Sequence, residues 1–265
     1  CARPISVFCT EDSILEHQLV DSFENLRVML KAYKRGTLKL FFRPRSGDVL
    51  KQMLLLDGIE KIDGFVLPKF DTENMQDYFE ILAPYRHLFF IMPVIESRAL
   101  FDIKKLREIA QFLKADEYKQ TLMVRLGGED MLKHLALKRH CNTSLYDLIA
   151  PSAVMANMLQ VFKPLGYELS APVYNCINNR EFFQKEVHKD IEQGFIGKTI
   201  IHPSQIEALD EMYRVSESEA RMAHAMLDEK SEAIIVQDGA MGEKFAHYRW
   251  AEVIVKREEL YGKKR

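Results

Sequence analysis

Charged and hydrogen-bonding side chains recur in this 265-residue chain at one kind of position, directly after short apolar runs. Glu11-Asp12 follow ISVFC, Arg43-Pro44-Arg45 close and follow LKLFFR, and Pro68-Lys69 follow IDGFVL. Glu96 lies just beyond LFFIMP, and TLMVRL carries Arg125 into Gly127-Gly128-Glu129-Asp130. ELSAPV leads to Asn175, and KTIIH ends at His202-Pro203. Carboxylates and cations converging on one pocket suit an anionic substrate held together with a metal. Hard carboxylate oxygens without a Cys/His cluster favour Mg²⁺ over Zn²⁺. Any one of these residues also has a plain structural use: Asp12 as a helix N-cap, His202 in a turn, Lys69 on the surface. The repetition at the same end of successive runs is what carries the functional reading.

The elements that must position these groups follow from periodicity. The seven runs, Ile5–Cys9, Leu38–Arg43, Ile62–Leu67, Leu88–Pro93, Thr121–Leu126, Glu168–Val173 and Lys198–His202, have the length and composition of buried parallel strands. Between them lie amphipathic segments such as Ile14–Leu30, Leu100–Phe112, Asp147–Phe162 and Asn179–Gln193. Strand–helix alternation predicts βαβ units and a mainly parallel sheet. Seven units become eight if one strand precedes Cys1. The expected fold is therefore a (β/α)₈ TIM barrel, with a doubly wound open sheet as the alternative. In a barrel the strand ends named above face one site. The pattern changes after His202, and we expect a catalytic barrel over 1–213 and a C-terminal helical cap or oligomerisation arm over 214–265. There Ser216 and Glu219 form a capping-box pair, Asp238-Gly239 marks a loop, and a final helix over Phe245–Leu260 carries Trp250, the chain's one tryptophan.

Composition narrows the class. Lys and Arg total 37 against 39 Asp and Glu, so there is no basic excess of the kind a nucleic-acid partner calls for. No apolar run approaches the roughly 20 residues that cross a bilayer. Four scattered cysteines are not a disulfide scaffold, and a reducing, cytoplasmic setting is the simpler expectation. The dinucleotide GxGxxG and the P-loop patterns are missing.

These residues resemble a known family. GFIGKTIIHPSQI at Gly194–Ile206 is similar to a signature of the HpcH/HpaI aldolase and citrate lyase beta-subunit superfamily. CTEDSI (Cys9–Ile14), DGFVLPK (Asp63–Lys69), PVIES (Pro93–Ser97) and LGGEDML (Leu126–Leu132) resemble further family segments in the same order. The nearer resemblance is to the TIM-barrel C–C bond lyases associated with tellurium-resistance and stress gene clusters. It implies a barrel whose first strand precedes Cys9–Ile14, Mg²⁺ ligation by Glu96 and Asp130, and an Arg43 that holds a substrate carbonyl or carboxylate. It implies that Glu11 and Asp12 support the metal's waters, that Lys69 is a pocket cation, and that Glu243, with His247 nearby, is a tail acid serving a neighbouring subunit's site. Arg45 stands where citrate lyase-like members have Asn, and Glu243 where they have Asp. Both departures point away from coenzyme A thioesters toward a more anionic or differently shaped substrate.

The function expected on this basis is a Mg²⁺-dependent lyase that cleaves a carbon–carbon bond in a small carboxylate or acyl thioester, with Arg43, Glu243, Glu11 and Asp12 in catalysis and Arg43, Arg45, Lys69 and His202 binding substrate. Coenzyme A remains a possible carrier, and family analogy implies a homo-oligomer, a trimer or hexamer. Two alternatives stand beside it: a thioester hydrolase or carbon–carbon ligating enzyme with the same pocket, and a barrel kept as a binding or scaffold subunit.

Overall fold

The computed structural model describes residues 5–12, 14–115 and 120–264. The chain forms two compact units, which divide between Val173 and Tyr174.

The first unit alternates strand and helix: β1 (Ile5–Cys9), α1 (Leu19–Ala32), β2 (Lys39–Arg43), α2 (Gly47–Leu54), β3 (Gly64–Leu67), α3 (Met75–Leu82), β4 (Phe90–Ile95), α4 (Ile103–Ala115), β5 (Val124–Leu126), α5 (Gly128–His134), α6 (Ile149–Phe162) and β6 (Leu169–Ala171). The six strands are parallel and lie side by side in chain order. Cys9 pairs in register with Arg43, Leu67 with Pro93, and Ile95 with Leu126. The C-terminal ends of β1 to β5 therefore stand in one row. Phe41, Phe42, Phe65, Val66, Leu67 and Ile91 are fully buried, as strands covered on both faces require.

Where elements differ from the periodicity, side chains take over the backbone's hydrogen bonds. β3 starts at Gly64 rather than Ile62, because the Asp63 carboxylate accepts the Leu40 N–H (2.9 Å) and pairs with Lys39 Nζ (2.6 Å). α1 starts at Leu19, after a 3₁₀ turn over Glu16–Gln18. α4 starts at Ile103, where Asp102 Oδ1 accepts the Lys104 N–H (2.8 Å).

The second unit contains α7 (Arg180–Glu192), β7 (Gly197–Lys198), α8 (Ser204–Tyr213), α9 (Glu217–Leu227), the antiparallel pair β8 (Ile234–Gln237) and β9 (Ala240–Glu243), and α10 (Lys244–Tyr261). β7 is two residues long, shorter than Lys198–His202. The Ile201 N–H is taken by Gln205 Oε1 (3.1 Å), and the His202 carbonyl accepts the Gln205 N–H (3.0 Å). Ser216 and Glu219 close the expected capping box. Asp238 and Gly239 both have positive φ (50° and 80°), the signature of a two-residue type I′ hairpin. α10 packs on α9 through Met222, Met226, Ala251 and Ile254. No helix among the described residues is long and apolar enough to cross a membrane.

Candidate active site

The strand ends of the first unit bring together five of the residues singled out in the sequence. Arg43 closes β2 and is the hub. Its Nη2 donates to Glu96 Oε1 (2.9 Å) and Oε2 (3.2 Å) and pairs with Glu11 Oε2. The Lys69 backbone N–H adds a third bond to Glu96 Oε1 (2.8 Å). Lys69 Nζ stands 3.3 Å from Glu11 Oε1 and 3.6 Å from Asp12 Oδ1. Asp130, on the first turn of α5, is mostly buried and pairs with Lys133 at 3.8 Å.

Lys69 adopts the left-handed backbone region (φ 48°) without being a glycine, a conformation that costs about 1–2 kcal/mol and persists only where neighbours enforce it. Asn74 Nδ2 donates to the Lys69 carbonyl (2.8 Å) while the Lys69 N–H is spent on Glu96, so both faces of this residue are clamped. Gly127 follows β5 directly beneath Glu96. A Cβ there would lie 2.3 Å from Glu96 Cβ, so only glycine leaves room for the carboxylate.

The electrostatics are those of a buried, mixed-charge site. Burial pushes the Glu11 carboxyl up to about 7, against the pull of Arg43 and Lys69 and with repulsion from Glu96 and Asp12. Burial also raises Glu96, with Arg43 and the Lys69 N–H opposing and the Asp130 charge adding to the rise. Burial, reinforced by Arg43, holds Arg125 down to about 10, still a cation at neutral pH. Two atoms of the hub have no hydrogen-bond partner among the described residues: Glu11 Oε1 and Arg43 Nε. Lys69 Nζ pairs with Glu11 Oε1 as an ion pair at 3.3 Å.

Glu96 and Asp130 repel one another across the row of strand ends, and a divalent cation relieves such repulsion. No three His, Cys, Asp or Glu side chains gather to hold an ion by themselves among the described residues. The donor set therefore fits an ion that takes two carboxylates and completes its shell with water or ligand oxygens, as Mg²⁺ does.

The other expected site residues are placed differently. Arg45 directs its guanidinium at the carbonyls of Thr10 (3.3 Å), Glu11 (3.2 Å) and Ile14, tying down the loop after β1. Asp12 is exposed at the rim. His202, Glu243 and His247 belong to the second unit and are exposed. His202 Nδ1 accepts the Ser204 N–H (3.2 Å) at the start of α8, the turn role weighed for it from the sequence. Glu243 is the last residue of β9, and its N–H donates to His247 Nδ1 (3.1 Å).

Sequence reasoning missed two supporting groups. Asp71, buried just after Lys69, accepts from Ser97 Oγ and from Thr72 N–H (2.6 Å), linking the loop after β3 to the residue after Glu96. Those bonds hold its carboxyl below the usual range despite burial. Cys9 Sγ accepts the Glu11 N–H (3.4 Å). The Asp71 position had a signal, a carboxylate two residues past a strand-end lysine, but nothing in the sequence pairs it with Ser97.

A family model for the C–C bond lyases of the TIM-barrel fold matches residues 4–263, and the chain belongs to this family. The chain is 27% identical over 120 residues to a citrate lyase subunit beta of Haemophilus influenzae, covering 43% of this chain and 38% of that one. It is 25% identical over 141 residues to a (3S)-malyl-CoA thioesterase of Cereibacter sphaeroides, covering 51% and 48%. The chain thus matches less than half the length of these two relatives. Among solved structures, CitE of Mycobacterium tuberculosis, in complex with magnesium, acetoacetate and coenzyme A, superposes with a TM-score of 0.69 at 21% identity, covering 96% of this chain and 90% of that one. At that identity the likeness shows a shared fold.

Proposed function

We propose that this member of the TIM-barrel C–C bond lyases is a Mg²⁺-dependent lyase acting on a 2-hydroxy carboxylate whose hydroxyl carbon lies beta to an acyl group. The observation that carries the reading is the Arg43 guanidinium bridging the buried carboxylates of Glu11 and Glu96, with Asp130 nearby. Glu96 and Asp130 would hold the ion. Bound there, Mg²⁺ supplies Lewis-acid charge and a template for the carboxylate oxygens of the substrate.

The chain's own residues do the rest. Arg43 holds Glu96 in place through Nη2, and its fixed cation favours the negative charge that develops as the bond breaks. Lys69 adds a cation to the entrance, its side chain about half exposed. Arg45 serves this site by fixing the loop that carries Glu11 and Asp12. The magnesium and acetoacetate of the solved relative support the ion and a small carboxylate ligand. The test is release of a 2-oxo acid from citramalyl, malyl or citryl thioesters in the presence of Mg²⁺, with loss of release on adding EDTA.

Hydrolysis of the thioester is the second reading, favoured by the likeness to the (3S)-malyl-CoA thioesterase. The products separate the two: a lyase yields two carbon fragments, a thioesterase an intact hydroxy acid and a free thiol.

A further inference from the structure

We propose that Asp71 is a positioning residue for the ion site, acting through its bond with Ser97 to fix the carboxylate of Glu96; this rests on the assignment of Glu96 to the ion in the reading above. The pairing of β3 with β4 ends at Leu67 and Pro93. Glu96 lies beyond that end, where no strand of the β3 side is left to hold it.

The segment after β3 takes over that role with three bonds. The Phe70 N–H donates to the Val94 carbonyl (3.0 Å), the Lys69 N–H donates to Glu96 Oε1 (2.8 Å), and Asp71 Oδ2 accepts the Ser97 hydroxyl. The first holds the backbone of β4, the second the head of Glu96, and the third the residue that follows it. Glu96 is therefore gripped both at its carboxylate and at the next link of the chain. Hydrogen bonds of this kind, behind a ligating carboxylate, set how well it is oriented before an ion arrives.

Asp71 is arranged for holding and not for ligation. It is 8% exposed, and its two oxygens are divided between neighbours. Oδ1 accepts the Thr72 N–H (2.6 Å) and the Thr72 hydroxyl (2.9 Å), and Lys105 Nζ stands 3.7 Å from it. Oδ2 is left for Ser97. The Asp71 N–H donates to Asn74 Oδ1 (2.9 Å), while Asn74 Nδ2 donates to the Lys69 carbonyl (2.8 Å). One asparagine thus ties Asp71 to the left-handed Lys69 whose N–H reaches Glu96.

The direction of the Ser97 bond is also fixed. Burial would raise the Asp71 carboxyl, but the bonds from Ser97 and Thr72 hold it below the usual range. An ionised carboxylate only accepts, so the Ser97 hydroxyl is the donor. Ser97 Oγ in turn accepts the Ala99 N–H (3.1 Å) at the start of the turn over Arg98–Phe101. Both sides of this hydroxyl are in use, and its rotamer is set by two loops at once.

The experiment uses the full chain without substrate. Mn²⁺ binding is followed by electron paramagnetic resonance with Mg²⁺ as competitor, and urea unfolding is measured beside it. Ser97→Ala removes the donor without changing any charge and is expected to weaken binding of both ions about 10–100-fold. Ser97→Thr keeps the hydroxyl and is expected to bind them as the wild type does. Asp71→Ala is expected to lose at least as much as Ser97→Ala, since it also removes a negative charge. The double variant is expected to be no weaker than Asp71→Ala alone, because both changes delete one bond. In turnover, Ser97→Ala is expected to need more Mg²⁺ for half-maximal rate and to recover most of kcat at saturating Mg²⁺. Native ion affinity in Ser97→Ala, with only the urea midpoint lowered, would make the pair a structural tie and overturn the proposal. Additive losses in the double variant would overturn it too. If Asp71→Ala does not fold, Ser97→Ala against Ser97→Thr decides by itself. Failure of the underlying ion assignment shows separately, as wild-type Mn²⁺ affinity in Glu96→Gln.

Discussion

Gly127 and Glu96 contend for the same space: a side chain on Gly127 would begin 2.5 Å from Glu96 Oε2, and the backbone after β5 passes under the carboxylate only because it has none. Gly127→Ala must therefore push Glu96 off Arg43 and the Lys69 N–H. The expected cost is about 1–3 kcal/mol in stability, with at least about a tenfold loss in Mg²⁺ affinity, the scale of a disturbed ligand shell. Urea unfolding and a Mg²⁺ titration measure the two. An alanine variant with native ion affinity would remove Glu96 from the ion site.

Glu96→Gln keeps the shape of the side chain and removes its charge. We expect metal-dependent turnover to fall below detection while circular dichroism stays native, and EDTA to reproduce the loss in the wild type. Full turnover in the variant would sink the ion assignment.

The raised carboxyl of Glu11 makes stability depend on pH in a defined direction. The folded protein binds this proton more tightly than the unfolded chain, from 4.5 up to about 7. The stabilising share is complete below about 4.5 and is lost as the pH rises through 7. Glu96, also raised, acts with the same sign. Between pH 5 and 8 the wild type should lose on the order of 1–2 kcal/mol relative to Glu11→Gln, allowing for screening by Arg43 and Lys69. Urea midpoints at the two pH values check this; parallel pH dependences for the two proteins would contradict it.

Arg45→Met and Arg43→Met should part company. Arg45 holds three backbone carbonyls of the loop after β1, so its loss should lower stability by about 1–3 kcal/mol and raise hydrogen exchange in that loop. Arg43→Met should instead remove activity outright, because this one guanidinium pairs with Glu11 and Glu96 at once. If Arg45→Met acted only on KM, with exchange unchanged, Arg45 would be a substrate contact after all.

In the second unit Lys198 is wholly buried between Glu186 (3.0 Å) and Asp190 (2.9 Å). Lys198→Met strips both carboxylates of that cation, and breaking a buried pair in this way costs about 3–5 kcal/mol. A thermal unfolding scan should show it, and adding Glu186→Gln and Asp190→Asn should restore most of the loss. The lysine of the GKTIIHP stretch is thus a tie within its own unit.

Much of the site was legible before any coordinates, because parallel strands announce themselves as short apolar runs and place the residue after each run at one edge. Glu11, Arg43, Lys69, Glu96 and Asp130 all follow from that rule, and the capping box at Ser216 follows from its Ser-x-x-Glu spacing. What periodicity cannot carry is which atom a side chain spends on which partner. Arg45 reads as a second pocket cation, and only the folded loop shows its guanidinium turned to carbonyls. β7 reads as five residues, and Gln205 cuts it to two by taking a backbone N–H. The left-handed turn at Lys69, the space beneath Glu96 and the pairing of Glu11 with Arg43 and Lys69 arise between residues far apart in sequence. The sequence alone determined the alternation, the strand-end charges and the family; tertiary packing decided which of those charges face one another, because burial and distance set electrostatic strength and neither is local.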